Sequence, residues 1–375
     1  MTKRFVYADN AATTRVSPGV LQAMMPFLDG SYGNASSLYS LGREARRAVE
    51  TAREQVAASI GASSPGEIIF TPSGTISDNI AISGSSHSGK RHFIVSSIEH
   101  PAVLNTTVHL GSRGYEITYL PVSPDGIVRL QDILACIRPD TALVSVMYAN
   151  NETGMIQPVR EIGEICREHK ITFHSDAVQA AGTLQIDVHR DNIDMLSLSA
   201  HKFRGPKGIG ALYVRDGLVL PKFIFGGNQE RGRFAGTENV AGIVGFAKAI
   251  QSLSDTERIR YLRDGLLKRL LEIPGSHLNG AHDNRLPGNI SISFDNVEGE
   301  SLVLLLDLQG IAVSTASACS SGNNDPSHVL LAMGVSEDRA KNSIRITLGD
   351  DNTGEDVEYI AKVVPEAVNK LRSRR

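Results

Sequence analysis

Residues 194–215 read DMLSLSAHKFRGPKGIGALYVR, and this stretch decides the fold. Met195 to Ser199 is a short β-rich run, Gly210 to Val214 is another, and a glycine-rich turn holding His201 and Lys202 lies between them. A solubilising lysine is out of place between a buried strand and such a turn. In open α/β sheets ligands gather outside the carboxyl ends of the strands, so polar residues there carry more weight than polar residues elsewhere.

Working outward, the runs Glu67 to Phe70, His92 to Ser97, Glu116 to Leu120, Leu143 to Tyr148 and Thr172 to His174 also read as strands, which predicts seven strands in one large sheet. Segments at helical spacing separate them: Asp78 to Ser83, Pro101 to Ser112, Leu130 to Ile137 and Pro158 to His169. The alternation predicts an α/β fold in which parallel strands are joined by crossover helices. Gly42 to Ser59 is read as an exposed amphipathic helix ahead of the sheet. A long helical region follows Glu238 and runs through the charged stretch near Asp255 to Arg269, after which the rhythm changes, so a domain boundary is predicted near residue 256. The remainder reads as strands Asn289 to Phe294 and Ser343 to Thr347 with helices Glu300 to Gln309 and Gly354 to Lys370, a smaller α+β unit.

The 375 residues suffice for two packed units, and a 41% hydrophobic, 21% charged composition matches globular usage rather than disorder. A formal charge of -3 lacks the cationic excess that binding a phosphate backbone demands, so nucleic acid is not expected as a partner. Cys136, Cys166 and Cys319 are too few and too scattered for a disulfide framework, which fits a reducing compartment. The start, MTKRFVYADNAATT, has no apolar core of a secretory signal, and the apolar stretch Leu302 to Leu306 stops at Asp307, so a soluble cytoplasmic protein without a membrane partner is expected.

Five strand ends deliver Thr75, His100, Asn151, Asp176 and the pair His201 and Lys202. Asp176, in FHSDAVQ, reads either as a carboxylate holding a protonated ring nitrogen or as a helix cap or satisfied core aspartate. Lys202 reads either as an amine for Schiff-base chemistry or as a surface loop lysine, and its pairing with Asp176 favours the first. Pyridoxal phosphate requires a lysine for its aldehyde, a carboxylate for its ring nitrogen and donors for its phosphate. TPSGTISDN, with Gly74 and Thr75 between a strand and a helix, offers backbone N–H groups and a hydroxyl at a helix terminus, and Ser199 and His201 add donors. His100, directly before Pro101, faces the cleft as a stacking group and proton carrier, or else is structural. Cys319, in VSTASACSSGNNDPSH, sits among small polar residues in a predicted exposed loop, whereas Cys136 and Cys166 read as core fillers.

With these residues in view the chain resembles the cysteine desulfurase family of the class V aminotransferase group over nearly its whole length. The supporting strings include YADNAATT, GNASSLYSLGREA, EHPAVLNT, YANNETGMIQPV, FHSDAVQAAG, AGTENV, ASACSSG, PSHVLLAMG and SIRITLG. The resemblance implies the fold type I of pyridoxal-phosphate enzymes, with a large domain over residues 14–256 and a small domain from 1–13 and 257–375 that carries the Cys319 loop. It implies that Lys202 holds the cofactor, Asp176 holds its ring nitrogen, Gln179 contacts the ring hydroxyl, His100 stacks on the ring, and Thr75, Ser199 and His201 bind the phosphate. Thr237 would reach the cofactor of a neighbouring subunit in a homodimer. Asn151 and Arg345 would receive the substrate carboxylate, with Asn34 lining the same pocket. Removal of sulfur from L-cysteine would give L-alanine and a persulfide on Cys319, passed to an iron–sulfur scaffold or another sulfur acceptor. No resident metal is implied, beyond transient ligation of a cluster by Cys319.

Ile76, Phe234 and Pro72 depart from the family pattern, which often has Glu and Arg at the first two positions, and no role transfers to Ile76 or Phe234. A selenocysteine lyase or another class V aminotransferase would use the same lysine and aspartate, and a non-catalytic partner in cluster assembly is disfavoured by the intact Lys202 and Cys319. Ser199-Ala-His-Lys202 and Ser77-Asp78-Asn79 spell serine acyl-enzyme motifs, but in the wrong order and without K-T-G. H-E-x-x-H, Walker A and G-x-G-x-x-G strings are absent, so zinc protease, nucleotide hydrolase and dinucleotide readings have no support.

Overall fold

A computed structural model describes residues 4–316 and 325–373, and Cys319 lies outside the described residues. Its centre is a seven-stranded sheet whose strands, in spatial order, are Ile68–Thr71, Gly210–Val214, Met195–Ser199, Thr172–Asp176, Thr141–Ser145, His92–Ser96 and Glu116–Leu120. Every residue of Met195–Ser199, Thr141–Ser145 and His92–Ser96 is buried, as expected of central strands covered on both faces. Alternate residues feed opposite faces: Ile94, Phe173, Ala211 and Tyr213 join one apolar cluster, while Phe93, Val95, Leu212 and Val214 join another.

The strand Gly210–Val214 runs antiparallel to both of its neighbours, while the other pairings are parallel. The turn after Lys202 is too short for a crossover helix, so the chain can only double back beside the strand it has just left. The expected long helix after Glu238 is instead two, Val240–Ile250 and Thr256–Leu271. Asp255 restarts it by accepting the Arg258 N–H on its side chain at 3.1 Å. The helix over Asp78 to Ser83 begins earlier, at Gly74, because Ser73 caps it by accepting the Ile76 N–H. The helix Pro18–Leu28 was not anticipated.

A four-stranded antiparallel sheet, ordered Ser314–Thr315, Ser343–Thr347, Asn289–Phe294 and Ser276–Leu278, packs with Thr256–Leu271, Gly299–Leu308 and Gly354–Arg372 around a separate apolar cluster. Val6 and Ala8 enter this cluster, and Val6–Tyr7 pairs in parallel with Ile311–Ala312. The N-terminal segment then crosses to the large sheet, where Thr14 N–H donates to the His201 carbonyl at 2.8 Å. Among the described residues no helix is long and apolar enough to cross a membrane.

Candidate active site

A cavity of about 350 Å³ opens at the carboxyl ends of the central strands. It is lined by Gly74, Thr75, His100, Asn151, Asp176, Gln179, Ser199, His201, Lys202 and Arg345, all singled out from sequence, together with Ala11, Ala12, Ser73, Asp78, Met147 and Val178. Lys202 leaves the strand Met195–Ser199 through a single 3-10 turn, and its Nζ donates to the carbonyls of Ala11 and Ala12 at 2.7 and 2.9 Å. Asp176 ends the neighbouring strand, is 6% exposed and accepts the Val178 N–H at 2.8 Å. Burial pushes its carboxyl upward, opposed by that N–H and by Lys202. Gln179 Nε2 donates to the Ala11 carbonyl at 3.0 Å, which ties the loop after Asp176 to the N-terminal segment holding Lys202.

The N-terminus of the 12-residue helix Gly74–Ser85 faces the same cavity and presents first-turn N–H groups to an anion. Gly74 permits this approach, since a Cβ there would lie 2.7 Å from Val178 Cγ2 and 3.3 Å from Ser199 Cβ. Gly210 backs the loop, because a Cβ on it would meet the Leu198 carbonyl and the Ser73 main chain at 2.7 Å. His201 Nδ1 lies 3.2 Å from Thr13 Oγ1, and burial together with Lys202 lowers the ring to about 4, so it is neutral at physiological pH.

His100 caps the helix Pro101–Ser112 and accepts the Ala102 N–H on Nδ1 at 3.1 Å. Burial and the charge of Lys202 lower it to about 4, so the ring is neutral with its hydrogen on Nε2. Arg345, 2% exposed, donates from Nη1 to the Asn151 carbonyl at 2.8 Å and from Nη2 to Asp9 Oδ1 at 2.9 Å. Asp9 also accepts the Ser314 hydroxyl at 2.7 Å. The guanidinium is therefore held in place by two elements distant in sequence, and its Nε is buried without a partner among the described residues.

Two buried acids next to this shell were not assigned a role from sequence. Asp78 is 1% exposed with Oδ1 unpartnered, and Glu99 is fully buried with Oε2 unpartnered. Glu99 Oε1 accepts the Ser96 hydroxyl at 2.5 Å and the Met147 N–H at 2.6 Å. Burial raises Glu99 to about 8. A lone acid in a strand-end loop carries no periodic signature, although the acid in SIEHP directly before the cavity-lining His100 was a usable signal for Glu99.

Asn34 is not among the residues of this chain that line the cavity: it is exposed, and its Oδ1 accepts the Ser36 N–H at 2.8 Å, which closes a local turn. Thr237 is also exposed and lines a second, smaller cavity with Pro72, Phe234 and Gly236. Ile76 and Phe234 are partly buried against the same apolar cluster, so the two departures from the family pattern contribute packing rather than charge.

The donor set suits pyridoxal phosphate: an amine and a buried carboxyl at adjacent strand ends, and a helix N-terminus at which Gly74 leaves room. The profile of the aminotransferase class-V family matches residues 6–360, and the chain belongs to that family. Within it the relatives are cysteine desulfurases. The chain is 49% identical over 376 residues to cysteine desulfurase IscS of Methanosarcina thermophila, covering 98% of this chain and 93% of the relative. Among solved structures it superposes on a NifS-like protein with a TM-score of 0.92 at 40% identity, covering 98% of this chain and 100% of the other. It also superposes on SspA in complex with cysteine with a TM-score of 0.83 at 38% identity, covering 94% and 100% respectively.

Proposed function

We propose that this chain is a pyridoxal-phosphate-dependent cysteine desulfurase that takes sulfur from L-cysteine, releases L-alanine and carries the sulfur as a persulfide on Cys319. The observation that carries this reading is the placement of Lys202 and Asp176 in one cavity with Arg345, in a chain whose relatives are cysteine desulfurases. Pyridoxal phosphate, once bound, supplies an aldehyde for an amine and an electron-accepting ring that stabilises charge on the substrate α-carbon. Lys202 holds that aldehyde, and Asp176 orients the ring nitrogen. Gly74, Thr75, Ser199 and His201 supply donors for the phosphate. Arg345 and Asn151 receive the substrate carboxylate, to which a guanidinium can donate two parallel hydrogen bonds. His100, which lines the cavity, stacks on the ring and carries protons. The Cys319 thiolate attacks the substrate sulfur, forming an S–S bond as the substrate's Cβ–S bond breaks, and the electron pair left on carbon is protonated to give alanine.

The working unit in this reading is a homodimer in which Thr237 reaches the partner subunit's cofactor. Exposed Thr237 and the exposed apolar side chains of Tyr32, Leu38, Tyr39, Val219 and Phe225 support it. An iron–sulfur scaffold or another sulfur-acceptor protein receives the persulfide, by resemblance to the family. The three scattered cysteines support a cytoplasmic location. A division into residues 14–256 and residues 1–13 with 257–375 is supported by the separate apolar cluster that gathers Val6, Ala8 and the helices after Thr256.

Mass spectrometry of the cysteine-treated holoenzyme tests the reading. Added sulfur on Cys319 is expected in the wild type and absent in Cys319→Ser and Lys202→Ala. Cys319→Ser keeps the visible absorption of bound pyridoxal phosphate and Lys202→Ala loses it after dialysis. A wild type that takes up no pyridoxal phosphate, or undiminished turnover in Cys319→Ser, overturns it.

A further inference from the structure

Asp78 sits in the second turn of the helix Gly74–Ser85, buried against the face of the sheet that ends in Asp176. The groups around it come from four directions. His174 and Asp176, two residues apart on one strand, project from the same face. Ser197 lies on the next strand in register with Asp176. Glu99 precedes the helix Pro101–Ser112, and Lys202 follows the strand Met195–Ser199.

His174 cannot neutralise Asp78. Its Nδ1 lies 2.9 Å from Ser145 Oγ and its Nε2 lies 3.0 Å from Ser197 Oγ, so both nitrogens are engaged. Its Nε2 is 3.6 Å from Asp78 Oδ1, beyond a hydrogen bond. The ring is fully buried, and burial lowers it to about 3, which leaves it uncharged. An ionised Asp78, 1% exposed, would therefore leave Oδ1 without a donor while facing a second carboxylate, and both conditions oppose ionisation. Burial first, and then the charge of Asp176, push Asp78 well above the usual carboxylate range, while the Ser197 hydroxyl partly opposes this.

We propose that Asp78 is held as a neutral carboxylic acid and is a positioning residue for the cofactor ring, its retained proton leaving Asp176 as the anion presented to the ring nitrogen. The physics is that of two carboxyls confined to one site, where one proton is shared because both cannot ionise. Here the asymmetry is set by position. Asp176 lies at the strand end, where Lys202 and the Val178 N–H stabilise its charge. Asp78 lies behind it, with a hydroxyl neighbour and a neutral imidazole. Ser145, His174 and Ser197 form the polar strip that holds this arrangement, which explains why a buried histidine and two buried serines stand on the central strands.

The proposal rests on the cofactor reading above, and its test separates the two. Carbon-13 NMR is recorded on protein labelled at the aspartate carboxyl, with and without pyridoxal phosphate. Near neutral pH one aspartate is expected to resonate as a protonated acid in the wild type and in Asp176→Asn, and to be missing in Asp78→Asn. In the holoenzyme, Asp78→Asn, which mimics the neutral acid, is expected to hold pyridoxal phosphate within ~3-fold of the wild type, while Asp176→Asn weakens it by about 10-fold or more. Absence of a protonated aspartate signal in the wild type, its persistence in Asp78→Asn, or a loss of cofactor in Asp78→Asn equal to that in Asp176→Asn overturns the proposal. If Asp78→Asn does not fold, the wild-type and Asp176→Asn spectra decide. A wild type that shows the signal but takes up no cofactor counts against the cofactor reading alone.

Discussion

Arg345 and Asp9 form an ion pair of 2.9 Å at the wall of the cavity, with their side chains 2% and 14% exposed. The strand Ser343–Thr347 brings one and the N-terminal segment brings the other, across 336 positions of chain. A guanidinium that must meet a substrate carboxylate gains from being aimed beforehand, since ordering it during binding opposes affinity. Asp9 supplies that aim.

Asp9→Asn is therefore expected to raise KM for cysteine by about 10-fold, the equivalent of roughly 1.4 kcal/mol, with a smaller change in kcat. Steady-state kinetics with the cofactor absorption as a loading control measure this. An unchanged KM would mean that Arg345 is oriented by the Asn151 carbonyl alone.

Gly74→Ala places a Cβ 2.7 Å from Val178 Cγ2 at the mouth of the helix that faces the cavity. Overpacking of this kind costs about 1–3 kcal/mol. Because relief requires either Val178 or the loop to move, and both line the cavity, the expected result is weaker pyridoxal-phosphate binding with a small fall in Tm. Equilibrium dialysis against the cofactor and a melting curve separate these two effects.

Glu99 retains its proton in the folded protein up to about pH 8, whereas the ordinary value is 4.5. Between these values the folded state binds more protons than the unfolded chain, so the contribution of this group to stability falls as pH rises. Glu99→Gln keeps an acceptor for Ser96 and Met147 and removes the titration. Its Tm relative to the wild type is expected to climb by several degrees from pH 5 to pH 8. His174, lowered from 6.5 to about 3, acts with the opposite sign and erodes stability as pH falls below 6.5.

Arg53 and Glu230 form a second buried pair, 2.7 Å apart and each 5% exposed at the side chain, and Glu230 also accepts the Phe70 N–H at 2.9 Å. Glu230 holds a left-handed φ of 46°. The pair thus clamps the segment leading to Thr237 onto the edge strand Ile68–Thr71. Glu230→Ala leaves Arg53 buried with only the half-exposed Glu50, 3.3 Å from its Nε, as counter-ion, and is expected to destabilise the protein by about 3 kcal/mol in urea melts. A loss below ~1 kcal/mol would show that water reaches Arg53.

Much of the site was legible before any coordinates. The strand-end rule found Thr75, His100, Asn151, Asp176, His201 and Lys202 because each follows an apolar run that ends abruptly. Gln179 and Arg345 came only from family resemblance, since a glutamine in a loop and an arginine within a strand have no signature of their own. Asn34 came the same way, and in the single chain its side chain closes a turn away from the cavity. Asp78 and Glu99 were passed over, since their importance lies in what surrounds them and not in their spacing.

The sequence by itself determined the α/β class, the seven strand runs and the chemical inventory of lysine, aspartate and phosphate-facing loop, because apolar periodicity and strand-end position are local properties. Only the tertiary structure decided that the strand Gly210–Val214 runs backward, that Asp9 aims Arg345, and that Asp78 lies behind Asp176 with one oxygen lacking a donor. Charge pairing and desolvation depend on which atoms meet after the chain has folded, and residues hundreds of positions apart carry no mark of that meeting.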